Sequence, residues 1–210
     1  MQVVHCNTCG PMKVAAIGGG ELHFLVFVDD FTRMLWVYGL TTKSSAFEVF
    51  QHVVAHTECE CGECFFALRS DNAGEFISSK MQSWCSEGSI ILQTTQPYMP
   101  DMNGTAERVI CTIVEHASAM LWNSFLDLCF WYEAVKTAVY LKNRSPHSAR
   151  EKTPFELWTG TFPSLAHFVS LVVTVMPSYL IRSDLNGKVM VASVCSWDIT
   201  LLTICFVCLT

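Results

Sequence analysis

The stretch HFLVFVDD, residues 23–30, constrains the fold most. It is an apolar run closed by two carboxylates, the pattern of a buried strand. MLWVYGL, residues 34–40, alternates and is rich in aromatics, so it reads as the hairpin partner of that strand across the turn FTR. Residues 1–9 read as a further short strand, broken by Gly10-Pro11. Ser44 or Ser45 can cap a helix reaching about His56, with Phe47, Phe50 and Val54 on one face. FFALRS (65–70) is the next strand, SSKMQSWCSEG (78–88) a helix stopped by Gly88, and IILQTT (90–95) another strand.

From Thr105 the period becomes helical. Ala106, Val109, Ile110, Ile113, Val114 and Ala117 fall at i, i+3, i+4, i+7, i+8 and i+11. A further helix is expected over about 126–143, with Phe130, Ala134, Ala138 and Leu141 inward. PYMPDMNG (97–104), before the first of these helices, has the composition of a loop. Strands followed by alternating helices and strands, then long helices, predict an α/β domain with a mixed five-stranded sheet flanked by helices.

The chain has 210 residues, 51% apolar and 15% charged, which allows a real core and excludes disorder throughout. A net charge of -6 excludes a strong, sequence-independent grip on DNA by this segment alone, because phosphates are neutralised by clustered Lys and Arg. The N-terminus Met1-Gln-Val-Val-His has no basic, apolar leader, so the protein is expected in the nucleus or cytoplasm, not secreted, with its eleven cysteines as thiols. Cys6-x-x-Cys9 beside His5 has the spacing of half a metal site. Cys59, Cys61 and Cys64 in ECECGEC lack a second ligand pair at finger spacing and read as a surface turn.

Two carboxylates stand out. Asp71 ends a strand in LRSDNAGEF, and Glu107 opens a long helix in NGTAER, with thirty-five residues between them. Carboxylates from a strand end and a helix start can converge on divalent ions, and two such ions clamp the oxygens of an in-line phosphoryl transfer. Each also has an ordinary reading. Asp71 before Asn72 suits a turn cap, and Glu107 suits the helix dipole.

The motifs taken together resemble the catalytic core of a copia-type retrotransposon integrase, within the retroviral integrase family. The matching stretches include HCNTCGPM (5–12), FVDDFTR (27–33), LRSDNAGEF (68–76) and PYMPDMNGTAER (97–108). They continue with FWYEAVKTAVYLKNR (130–144) and KTPFELWTG (152–160), so that about residues 2–168 are covered in order. The resemblance implies an RNase H-like fold in a 1–168 core. It also implies an Asp, Asp, Glu triad holding Mg²⁺ or Mn²⁺, which processes DNA 3′ ends and transfers them into target DNA as part of a Pol polyprotein. Asp71 and Glu107 occupy the second and third triad positions.

The first triad position departs from the pattern. The family reads His-Ser/Thr-Asp-x-x-Gly-Pro, and here Asn7 stands in place of the aspartate. Cys6 then occupies the Ser/Thr position, so Cys6 and Cys9 need no metal to explain them. An amide keeps one oxygen donor but removes a full charge, so metal binding and catalysis are expected to be impaired. Asp29 and Asp30 are read as turn-capping or structural residues rather than replacements. Ala73 for a glycine and Asp101-Met102 for a polar pair are softer departures. His5, Arg69 and Arg108 are candidate nucleic-acid contacts or bracing groups. The implied partners are DNA ends, target DNA and further copies of the chain. The alternatives are a domesticated, non-enzymatic DNA- or protein-binding fold, or a decayed copy without function.

The family's N-terminal zinc segment and C-terminal DNA-binding region have no counterpart among these residues. Residues 169–210 are an apolar tail with four charges, Arg182, Asp184, Lys188 and Asp198. Residues 189–210 are long enough to span a bilayer, but Asp198 and the missing basic flank argue against a membrane segment. The family continues with a sequence like Val-Phe-Gly-Cys-His-Cys-Tyr-Ala. Coded as GTC TTT GGT TGT CAC TGT TAT GCC C and read one base later, it gives Ser170 to Pro177. The tail is therefore expected to be out of frame and without the family fold.

Overall fold

The computed structural model describes residues 3–62, 64–94, 104–146 and 151–164. Expectations for the loop 97–103 and for the tail from residue 169 onward lie outside these residues. Five strands form one sheet: β1 (Val3–Cys9), β2 (His23–Asp29), β3 (Leu35–Leu40), β4 (Ala67–Ser70) and β5 (Ile91–Thr94). Their order is β3-β2-β1-β4-β5. β1 runs antiparallel to β2 and β2 to β3, whereas β1–β4 and β4–β5 are parallel. The expected mixed sheet is therefore present. Both parallel pairings follow helical crossovers, α1 (Ala46–Cys61) before β4 and α2 (Ser79–Glu87) before β5. The chain continues as α3 (Gly104–Ser124), α4 (Trp131–Arg144) and α5 (Pro154–Thr159).

Strand alternation divides the core into two. Val4, Cys6, Leu25, Phe27 and Leu68 pack with Phe47, Phe50, Val53 and Val54 of α1 and with Met81 and Cys85 of α2. Phe24, Val26 and Val28 face the other way, onto Ile113, Ala117 and Met120 of α3 and Ala134, Val135 and Ala138 of α4. The run 24–28 is wholly buried because it is the strand that both layers share. Each phenylalanine so enclosed contributes about 1.5–3 kcal/mol of transfer free energy.

Local chemistry sets the boundaries. Gly10 ends β1 at φ +130°, where a Cβ would lie 2.7 Å from the Leu22 carbonyl oxygen, so glycine is required. Gly39 in β3 admits the Tyr132 phenol, which accepts a hydrogen bond from the Gly39 N–H at 2.6 Å and ties α4 to the sheet edge. Ser78 caps α2 by accepting from the Met81 N–H.

The expected cap of α1 is not made. Ser45 is already helical, a 3₁₀ turn over Lys43–Ser45 precedes the helix, and the Ser44 and Ser45 hydroxyls are hydrogen-bonded to Thr42. α1 also runs past His56 to Gly62, whose left-handed conformation (φ 66°) ends it. α4 begins at Trp131 after a 3₁₀ turn over Leu128–Phe130 that Asp127 caps. α5 is an addition to the expected elements. Thr153 and Glu156 form a reciprocal capping box with Pro154 in the first turn. Among the described residues no helix is long and apolar enough to cross a membrane.

Candidate active site

β1 and β4 bring the positions of Asn7 and Asp71 toward one another. Their parallel register pairs His5 with Arg69 and Cys6 with Ser70. One step further, Asn7 stands beside Asp71, the first residue past β4. Neighbouring strands are about 4.8 Å apart, so these two positions are adjacent at one end of the sheet. Asn7 pairs with Val26 on the other side, and Val26 packs under α3 and α4. Asn7 therefore belongs to the face that α3 covers. Glu107 lies in the first turn of α3 and is solvent-exposed. Its charge is favourable at a helix N-terminus whatever else it does.

The same alternation settles the Cys6-x-x-Cys9 question. Cys6 is buried in the core under α1 and α2, whereas Cys9 packs toward α3 and α4. Residues three apart in a strand face opposite sides, so the two sulfurs cannot share an ion. Burial, reinforced by the charges of Asp71 and Glu75, pushes the Cys6 thiol well above its ordinary range.

Asp71 is half-buried, and its carboxyl is raised above the usual value, first by burial. The Ala73 N–H, donating at 3.3 Å, opposes the shift, Glu75 adds to it and Lys43 offsets part of it. Glu75 escaped the sequence reading. Its side chain is 9% exposed, 4.0 Å from the Lys43 ammonium, and it bears electrostatically on both Asp71 and Cys6. The signal was present in DNAGEF, but its inward aim depends on the turn after β4.

The Asn7 amide oxygen accepts the Thr8 N–H at 2.8 Å. It is neutral and already engaged, so it makes a poor ligand. Among the described residues no three His, Cys, Asp or Glu side chains are grouped so as to hold a metal ion. The donor set does not fit a two-metal centre, and residue 7 offers an amide rather than a carboxylate. Asp29 and Asp30 do not fill the gap. Asp29 is 2% exposed and accepts from the Thr32 N–H (2.8 Å) and hydroxyl (2.7 Å), closing the β2–β3 turn. Asp30 is bound by His5 at 3.1 Å and Arg33 at 3.3 Å.

The three candidate nucleic-acid contacts differ in place. His5 is 2% exposed and held by Asp30, with its Nδ1 buried and without a hydrogen-bond partner. Burial lowers its pKa more than Asp30 raises it, so the ring is neutral at pH 7. Arg69 donates from Nε and Nη2 to the Gln93 side chain at 3.1 and 2.8 Å, bracing β4 against β5. Arg108 is exposed, with Nε fixed on the Gly104 carbonyl at 2.9 Å.

A mixed five-stranded sheet covered by helices carries acidic residues at a strand end, Asp71, and at a helix start, Glu107. Residues 2–100 match the family described as Integrase core domain. The chain is 42% identical over 168 residues to the Retrovirus-related Pol polyprotein from transposon TNT 1-94 of Nicotiana tabacum, covering 80% of this chain and 13% of that protein. It is 33% identical over 143 residues to the corresponding polyprotein from transposon RE1 of Arabidopsis thaliana, covering 68% of this chain and 10% of that protein. The chain belongs to the integrase core family of retrotransposon and retroviral Pol polyproteins and spans only a small part of those relatives. The catalytic core domain of BIV integrase superposes with a TM-score of 0.56 at 15% identity, covering 76% of this chain and 94% of that one. A chain of the simian T-cell lymphotropic virus intasome, solved with PP2A regulatory subunit B56 gamma, gives 0.60 at 21%, covering 78% of this chain and 55% of that one. These likenesses establish the expected RNase H-like fold.

Proposed function

We propose that this chain is the catalytic-core segment of a retrotransposon integrase whose ancestral reaction is metal-dependent processing of DNA 3′ ends and strand transfer. In this copy the reaction is silenced at Asn7. Asp71 and Glu107 are the remaining metal ligands for Mg²⁺ or Mn²⁺, and Asn7 is the deficient third. The reading is supported by the parallel register that ends at Cys6 and Ser70, one residue before Asn7 and Asp71, and by the Asn7 amide oxygen accepting the Thr8 N–H. A full charge is missing where a divalent ion must be held against water. DNA ends and target DNA are the partners on this reading, reached through Arg108, with His5 and Arg69 as bracing groups. Assembly of several copies and a nuclear or cytoplasmic site belong to the same reading.

The test is strand transfer by the full chain with Mn²⁺ or Mg²⁺, comparing the parent, Asn7→Asp and Asn7→Asp/Glu107→Gln. Activity in Asn7→Asp alone supports the proposal. Equal activity in the parent refutes the role given to Asn7. The same substitution favours a second reading, a DNA-binding fold without catalysis. Specific DNA binding unchanged by Asn7→Asp, with no strand transfer by either chain, is its signature.

A further inference from the structure

A cavity of about 430 Å³ opens beside the first turns of α3, where the β2–β3 turn meets the end of α4 and the start of α5. Three cations from three separate segments line it: Arg33 after β2, Arg108 on α3 and Lys142 on α4. The whole chain holds thirteen Lys and Arg and is acidic, so this convergence stands against the overall charge. Among the described residues the carboxylate paired with these cations is Asp30, which is shared between Arg33 and His5. The Nε bond to the Gly104 carbonyl orients the Arg108 guanidinium.

The lining also holds apolar side chains, Val28, Leu35 and Val109 among them. Thr112, one further turn along α3 from Arg108, lines the same wall. The volume lies within the roughly 300–1,000 Å³ of small-ligand pockets and far exceeds what a bare phosphate fills. Cations together with apolar side chains in one lining suit an occupant that combines anionic charge with an apolar body.

We propose that this cavity binds one unpaired nucleotide of a DNA strand, its phosphate on Arg33, Arg108 and Lys142 and its base on the apolar side chains. The choice of DNA rests on the nucleic-acid reading above. Glu107 and Arg108 are consecutive on α3, so a strand seated here runs beside the candidate active site.

The test titrates the full chain, without divalent metal, with thymidine 5′-monophosphate, thymidine and inorganic phosphate. The nucleotide is expected to bind at least about tenfold more tightly than either fragment, since both halves of the cavity are engaged. Lys142→Gln and Arg108→Gln each weaken it by about tenfold, the loss of one charge-assisted contact. Thr112→Trp fills the cavity without changing charge; it abolishes nucleotide binding and leaves phosphate binding within about twofold. Nucleotide binding no tighter than phosphate in the parent chain, which no variant's folding can obscure, overturns the proposal. Indifference to Thr112→Trp also overturns it. The failures are separable. Duplex binding without nucleotide binding removes the cavity and keeps the DNA reading. Nucleotide binding with no strand transfer in Asn7→Asp supports the cavity and removes the catalytic reading.

Discussion

Asn143 is the residue whose loss the structure makes most costly outside the apolar core. Its side chain is buried on α4 and grips β3 twice. The Oδ1 atom accepts the Leu35 N–H at 2.9 Å, and Nδ2 donates to the Leu35 carbonyl at 2.8 Å. Asn143→Leu keeps the volume but leaves both Leu35 backbone groups buried without partners. Each orphan costs about 1–3 kcal/mol, so the variant is expected to lose about 2–6 kcal/mol. For a chain of this size 1 kcal/mol moves Tm by about 2–4 °C, giving a fall of at least about 4 °C. Equilibrium urea unfolding of the full chain at pH 7 measures it. Asn143→Asp retains the acceptor but sets a second oxygen against the Leu35 carbonyl, so its deficit is expected to shrink at acid pH, where a protonated carboxyl can donate. A loss below about 0.5 kcal/mol in Asn143→Leu, the range of ordinary surface changes, refutes the reasoning.

Three further outcomes follow from the same structure. The Asp71 carboxyl is held above its usual 3.8, so its ionisation opposes folding: the stability it allows is complete below that value and lost as pH rises through the folded pKa. Asp71→Asn is therefore more stable than the parent in EDTA at pH 7, and thermal melts across pH show the gap closing toward pH 3. The neutral His5, lowered from 6.5 by burial, has the opposite slope, with stability present above about pH 6.5 and lost as pH falls through the folded pKa. His5→Gln flattens that acid limb in the same melts. For the tail, sequencing the coding DNA is expected to show a shift of frame near codon 169, with the family's reading restored in the neighbouring frame; an uninterrupted ancestral frame sinks the idea.

The sheet was legible because its strands carry period-two or wholly apolar runs and α3 carries a 3.6-residue stripe, signals that survive without tertiary knowledge. The order β3-β2-β1-β4-β5 was not legible, because periodicity marks strands without saying which of them pair. The true start of α1 was not legible, since Thr42, Ser44 and Ser45 compete for one another's hydroxyls. α5 was overlooked although T-P-F-E carries its capping box in plain view. Opposite facing of Cys6 and Cys9 follows from strand alternation alone. Asn143 and the three-cation cavity could not be read, because each depends on segments far apart in sequence meeting in space, whereas Glu75 stood in DNAGEF and only its inward aim was hidden. His5 reads from the sequence as a nucleic-acid contact or a bracing group, and its burial and its pairing with Asp30 are hidden there because Asp30 is brought to it by the end of β2.

The most direct test of the central claim, that one missing carboxylate at residue 7 disables the metal site, is calorimetric titration of Mn²⁺ into the full chain and into Asn7→Asp. A carboxylate beside Asp71 is expected to tighten binding at least about tenfold, some 1.4 kcal/mol, and Glu107→Gln in the same background to reverse the gain. Equal Mn²⁺ affinity in the parent and in Asn7→Asp contradicts the account.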